Sequence, residues 1–177
     1  MRIFYILFIV LFSCSNNSEL VQEYIAEKKL FVEKMEDVKI LHTEYGFLKV
    51  KINANTIERF QDTIPHLCFS NKLEVIFYSD SGLIESTLNA DRAEVDEDNN
   101  IMTASGNVVL TSIEGKKLET EELFWDNKKN KIYTNKEVLI TTKKEIIKGK
   151  GFTSKPDFSD YFISRINGKF NLDNLNK

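Results

Sequence analysis

Hydrophobic and polar positions alternate with a period of two along most of the chain, most clearly between Leu118 and Ile140. There Leu123 and Trp125, then Ile132 and Thr134, then Val138 and Ile140 occupy every second position, with polar turn residues between the pairs. A period of two puts both members of a pair on one face, which marks strands with one buried side and not a helix. The pattern has a copy thirty residues earlier. Ala93, Val95, Asp96, Asn100, Met102, Ala104, Val108, Val109 and Leu110 align with Leu123, Trp125, Asp126, Asn130, Ile132, Thr134, Val138, Leu139 and Ile140, and Leu88 aligns with Leu118. A degraded third copy sets Ile147 and Phe152 against Leu118 and Leu123 at an offset of 29. Repeats made only of strand and turn imply stacked antiparallel hairpins.

The same alternation extends upstream. Val38 to Thr43 reads as a first strand, Leu48, Val50, Ile52 and Ala54 as an amphipathic second, and Leu73, Val75 and Phe77 as a third. Ile64-Pro65 interrupts the ladder because proline lacks the donor a central strand needs. Asp96–Asn100 and Asp126–Asn130 are the expected hairpin turns of the two repeats. Asn167-Gly168 is a type I′ signal that divides Tyr161–Ile166 from Lys169-Phe170. Short antiparallel strands without a long helix close into a barrel or make two facing sheets. The pattern leaves both a filled core and an open groove between the sheets as readings.

The N-terminus breaks the alternation. Ile3 to Phe12 is an apolar run behind Met1-Arg2, about half the roughly 20 residues needed to span a bilayer. A short basic start with a short apolar core is a secretory signal. Its end, Leu11-Phe12-Ser13-Cys14, resembles a bacterial lipobox, which implies cleavage before Cys14 and lipidation of its sulfur. The expected organisation is a signal peptide at 1–13, a lipidated Cys14 and spacer at 14–37, a β domain at 38–170 and a polar tail at 171–177. Two acyl chains suffice for stable anchoring, so the mature chain is tethered to a membrane without spanning it.

Composition narrows the function classes. Thirteen Phe and one Trp, with many β-branched residues, favour strand. A net charge of −3 argues against nucleic acid as a partner, since phosphate contacts require a basic surface. Residues 14–115 carry nine Lys/Arg against eighteen Asp/Glu, and residues 116–177 carry fourteen against nine. That polarity fits either ordinary solvated turns or head-to-tail contact with like-folded neighbours.

Candidate chemistry is sparse. His42 and His66 have no ligand-spaced partners, so no metal is expected. Gly149-Lys150-Gly151 lacks the following helix of a phosphate loop, and no serine stands in a nucleophile elbow. Glu119 to Glu122 reads as a solvated strand edge, and Cys68, between Leu67 and Phe69, as a small buried apolar residue. No catalytic constellation and no cofactor are expected.

Several stretches in a fixed order carry a resemblance: Gly46-Phe47-Leu48-Lys49-Val50, Leu88 to Ala93, Gly106-Asn107-Val108, Leu118 to Asp126, Lys131 to Thr134, and Ile146 to Phe152. Together they resemble the LptC family of lipopolysaccharide export proteins over about Val38 to Phe170, in a lipoprotein-anchored form. The resemblance implies an all-β antiparallel jellyroll, or open twisted β-sandwich, whose apolar interior carries the acyl chains of lipopolysaccharide. It also implies two protein partners: the subunits of an inner-membrane ABC transporter and an LptA-like periplasmic bridge protein of the same fold. Strand parity then names the groove residues: Leu48, Val50, Ile52, Val75, Phe77, Leu88, Met102, Val108, Leu110, Leu118, Leu123, Trp125, Ile132, Val138 and Ile140. The resemblance puts partner edges near Val38, Ile40 and Thr43, and near Tyr161, Ile163 and Phe170. Ser15 after Cys14 is an outer-membrane sorting signal in some lineages; the family role implies the periplasmic face of the inner membrane instead. The competing reading is a structural or interaction lipoprotein of the envelope with a filled β core and no lipid cargo.

Overall fold

The computed structural model describes residues 33–60 and 63–171. The signal segment, Cys14 and most of the spacer lie outside them. Among the described residues the alternation yields strands and no helix: β1 (Glu33–Glu44), β2 (Phe47–Arg59), β3 (Leu67–Tyr78), β4 (Ile84–Ala90), β5 (Arg92–Asp96), β6 (Ile101–Ser112), β7 (Lys117–Asp126), β8 (Lys131–Thr141), β9 (Glu145–Ser154) and β10 (Tyr161–Asn171). All belong to one antiparallel sheet in the order β1-β2-β3-β4-β6-β7-β8-β9-β10, with β5 pairing β3 and β6 beyond the end of β4. The expected all-β antiparallel architecture is present, built as a meander in which strands pair with their neighbours in sequence except at β4 and β5, both of which pair β3 and β6.

Register turns the sequence repeat into a continuous feature. Ile40, Ile52, Val75, Leu88, Leu110, Leu118, Ile140 and Ile147 are successive cross-strand partners, forming one aliphatic row across eight strands. A shorter row, Val95–Met102–Trp125–Ile132, crosses β5 to β8. Both rows belong to or pack against one core, whose largest fully buried side chains include Phe69, Phe152 and Phe158.

Between the rows runs a line of irregularities. The register shifts between Ala54 and Thr56 on β2, between Ser105 and Val108 on β6, between Thr120 and Phe124 on β7, and between Thr134 and Glu137 on β8. At or across from these shifts lie left-handed residues, Asn71 and Lys72 on β3, Gly106 and Asn107 on β6, and Gly151 on β9. Each bulge bends its strand and increases its twist. Placed side by side, they crease the sheet. Curling is visible where distant strands touch. In a flat sheet Phe77 on β3 and Trp125 on β7 would lie three strands apart and on opposite sides of the aliphatic row, Phe77 next to Val75 and Trp125 well beyond Leu118, about 30 Å apart along the strands. Yet their rings meet edge-on with centroids 5.2 Å apart. The Ser86 hydroxyl on β4 likewise donates to the Pro156 carbonyl in the β9–β10 loop. The strand segments on the two sides of the crease therefore face each other across the core.

Three local expectations are corrected. Asn167-Gly168 does not form a hairpin turn: β10 continues through it with a register shift between Ile166 and Gly168, because β9 supplies partners on both sides, Gly149 and Lys148. The first strand begins at Glu33 and not at Val38, its charged start pairing with Arg59, Glu58 and Ile57. An edge strand with one neighbour needs little apolar face, and its burial pattern is almost wholly exposed. Cys68 is not a core residue. It is half-buried on the outward face of β3, opposite Glu58 and Glu94, and burial followed by those two carboxylates pushes its thiol pKa up.

Candidate functional site

Most of the parity-selected groove residues are sealed. Val75, Leu110, Leu118, Ile132 and Ile140 have no exposed surface, and Leu88, Met102, Val108, Leu123 and Val138 have at most 4%. Leu48 and Ile52 are half-buried. The interior in this arrangement is therefore a filled core, and not a groove open along its length. Among the described residues, two depressions offer space for a ligand.

The first is a cleft of about 420 Å³ where the two halves of the curled sheet meet. Of the fifteen, it is lined by Val50, Phe77 and Trp125; Pro156 adds an apolar wall and Glu44, Lys49, Asp80, Glu85, Lys155 and Asp157 a charged surround. Lys49 pairs with Asp80, whose carboxylate holds the ammonium pKa up. The Glu85 pKa is raised by burial first, then by Asp157 and Asp80, against the opposing influence of Lys49. The loop that supplies Lys155, Pro156 and Asp157 is fixed from behind. Its Phe158 is fully buried against Phe152 and Tyr161, and the Lys116 ammonium donates to the Phe158 and Ser159 carbonyls. Phe158 escaped the alternation because it lies in a loop; its φ of 57° is a conformation no strand pattern reveals.

Trp125 is the cleft's distinctive residue. Phe77 fixes its ring edge-on, and Met102 and Ile132 flank it on the neighbouring strands. Its indole Nε1–H is shielded from solvent and meets no acceptor among the described residues. An unmade hydrogen bond of this kind costs about 1–3 kcal/mol.

The second depression, about 440 Å³, lies along the crease on β6–β9. Val108, Val109, Val138 and Leu139 provide its apolar surface, with Glu119, Glu121, Glu137 and Lys148 around them.

The predicted partner residues fall on the two ends of the sheet, β1 and β10. Val38, Ile40, Tyr161 and Ile163 pack against the core, whereas Thr43 is exposed and Phe170 is 64% exposed. Both edge strands are long, and each leaves the hydrogen-bonding groups of one side without a strand among the described residues.

One grouping was not visible from spacing. The β2–β3 loop and the β5–β6 turn bring His66, Asp96 and Asp98 together, with one ligand atom from each within 4.8 Å of the others. Hydrogen bonding explains the cluster without an ion. His66 Nδ1 accepts from the Glu97 backbone N–H, which leaves the proton of a neutral ring on Nε2, facing Asp98 at 3.8 Å. A metal-bound Nε2 would instead need its proton on Nδ1. Asp96 is occupied by the backbone and side-chain donors of Asn99, which hold its pKa below the usual value.

Comparison with known proteins gives the following. A family model described as LptC, lipopolysaccharide-assembly, LptC-related, matches residues 3–157. No curated protein matches the chain. Among solved structures, the chain is similar to LptH of Pseudomonas aeruginosa, described as the LptA-homologous periplasmic component of the conserved lipopolysaccharide transport device. That match has a TM-score of 0.40 and 10% sequence identity, and covers 77% of this chain and 83% of the other.

Proposed function

The chain belongs to the LptC-related family of lipopolysaccharide assembly, and from that membership we propose that it is the anchored periplasmic carrier that takes lipopolysaccharide from an inner-membrane ABC transporter and passes it to an LptA-like bridge protein. The observation that carries this reading is the aliphatic row from Ile40 to Ile147, which runs from one sheet edge almost to the other. A band of apolar side chains in that direction offers acyl chains a path from partner to partner. Each methylene kept from water is worth about 0.8 kcal/mol, so a multi-acylated lipid needs continuous apolar contact along the route.

The edges suit their proposed partners for a simple reason. A partner strand added to β1 or β10 gains main-chain hydrogen bonds and extends the same sheet. On this reading β1, with Val38, Ile40 and Thr43, meets the transporter, and β10, with Tyr161, Ile163 and Phe170, meets the bridge. Cys14, lipidated, holds the domain at the periplasmic face of the inner membrane. The chain performs no catalysis; the energy comes from the transporter's ATPase. Because the row is buried, loading requires the two halves of the curled sheet to part along the crease.

The filled core favours a second reading, an envelope scaffold that carries no lipid. A photo-crosslinking residue at Ile140 separates the two. Carriage predicts a lipopolysaccharide adduct at Ile140 during active transport and none at the outward, exposed Asn89; a scaffold predicts none at either. Absence of the Ile140 adduct while transport proceeds excludes carriage through this interior.

A further inference from the structure

The cleft has two properties that together specify what it binds. Trp125 lines it, with a buried Nε1–H that has no acceptor, beside the apolar Val50, Phe77 and Pro156. Its surround carries four carboxylates, Glu44, Asp80, Glu85 and Asp157, against two ammonium groups, Lys49 and Lys155. One of those, Lys49, is already paired with Asp80.

An anionic acceptor such as a phosphate or free carboxylate satisfies the donor but must pass an excess of negative charge. An alkane passes the charge but leaves the donor unmade. An uncharged carbonyl at the head of an acyl chain meets both conditions. The volume of about 420 Å³ leaves room for the linkage and first methylenes of one chain, since about 150 Å³ accommodates benzene.

We propose that Trp125 donates a hydrogen bond to the ester or amide carbonyl of one acyl chain, so that the cleft binds the uncharged acyl head of a lipid and rejects its phosphate. The inference rests on the carrier reading and deepens it, assigning one position along the route where a chain is held by its linkage and not only by its methylenes. Nε1 is covered in the unliganded arrangement, so the acceptor reaches it as the Phe77 and Trp125 rings separate. The donor's lost bond is recovered in that step, which favours the opened, liganded arrangement.

Trp125 is the single tryptophan of the chain, so its emission reports binding directly. The test uses the Cys14→Ser chain, kept free of detergent, with three probes of equal chain length: a monoacylglycerol, its monoalkyl glycerol ether, and the corresponding fatty-acid anion. The ester is expected to bind about five to ten times more tightly than the ether, the fold-change of one buried hydrogen bond. The anion is expected to bind more weakly than the ester at low salt, with the gap narrowing as salt rises. In the Trp125→Phe chain, followed by calorimetry, the ester and ether become equivalent. Equal affinity of ester and ether in the unsubstituted Trp125 chain overturns the donor role, whatever the variant does, and leaves lipid carriage standing. Tighter binding of the anion overturns the charge selection. If no probe binds, the cleft is not an acyl site, and crosslinking at Ile140 decides carriage independently.

Discussion

The crease makes a quantitative prediction at Gly106. This residue adopts φ +76° beside Asn107 at +47°, and the pair forms the β6 bulge. Asp91 joins it: the Asp91 N–H donates to the Gly106 carbonyl at 3.0 Å, and its carboxylate accepts from the Asn107 amide at 2.7 Å. A Cβ on residue 106 would stand 2.8 Å from that carboxylate oxygen and 3.1 Å from the Asp91 Cβ. Gly106→Ala therefore carries a left-handed backbone cost of about 1–2 kcal/mol, less about 0.4–1 kcal/mol regained from the stiffer unfolded chain. Displacing Asp91 from Asn107 adds about 1–2 kcal/mol. The net is about 2 kcal/mol, or a fall of about 4–8 °C in Tm for a domain of this size. The assay is urea unfolding in the Cys14→Ser background, followed by circular dichroism, with Gly106→Ala measured both with Asp91 and with Asp91→Ala. In the second case the carboxylate is gone and only the 3.1 Å approach to the Cβ of residue 91 remains, so the substitution should cost about 1 kcal/mol. An equal cost in both backgrounds refutes the steric contribution. No cost in either refutes the claim that the bulge needs a left-handed residue.

Three further outcomes follow from packing and charge. Gly149→Ala places a Cβ 2.6 Å from the Arg165 carbonyl oxygen and 2.6 Å from Ile163 Cγ2, so β10 should separate from β9; amide exchange over 161–171 should quicken while β2 and β3 keep their protection. Glu85 has a raised pKa, so its ionised form is penalised in the fold at pH values above the unfolded pKa. Glu85→Gln should therefore raise Tm at pH 7, with the gain disappearing as pH falls below about 4.5; a gain that persists in acid contradicts that cause. Asp126 has a lowered pKa, through the side-chain and then the backbone donor of Lys129. The stability it adds is present above the unfolded pKa and is lost as pH falls through the folded one, so Asp126→Asn should flatten the acid limb of a Tm-against-pH curve and destabilise at neutral pH.

Strand parity located the interior faces because each buried face is a direct consequence of a two-residue period. The thirty-residue repeat became the register Leu88–Leu110–Leu118–Ile140, and Asp96 and Asp126 became matching turn clamps, each accepting the backbone N–H three residues on. What parity cannot contain is curvature. The meeting of Phe77 with Trp125, and hence the cleft, depends on bulges summed over several strands, none of which changes the apolar pattern enough to be read alone. Loop residues escape for a related reason. Phe158 and the His66–Asp98 pair are brought inward or together by turns whose reach is set by backbone dihedrals. Asn167-Gly168 misleads in the opposite direction: a pair that elsewhere reverses a chain is here accommodated as a bulge, because the neighbouring strand continues past it.

The meander order also governs how the domain comes into being. Each strand finds its sheet neighbour directly before it in sequence, apart from the short detour through β5, so no pairing waits for a distant segment to arrive. Loop closures are short, and their entropic cost stays small. A chain delivered N-terminus first through a translocation pore can lay down β1 against β2, then β3, and so on, with its growing rim always the most recently emerged strand. The final rim is β10. The strand read as receiving the next protein in line is thus the last part of the chain to be finished, and docking there would extend a process that assembly of the domain had already begun.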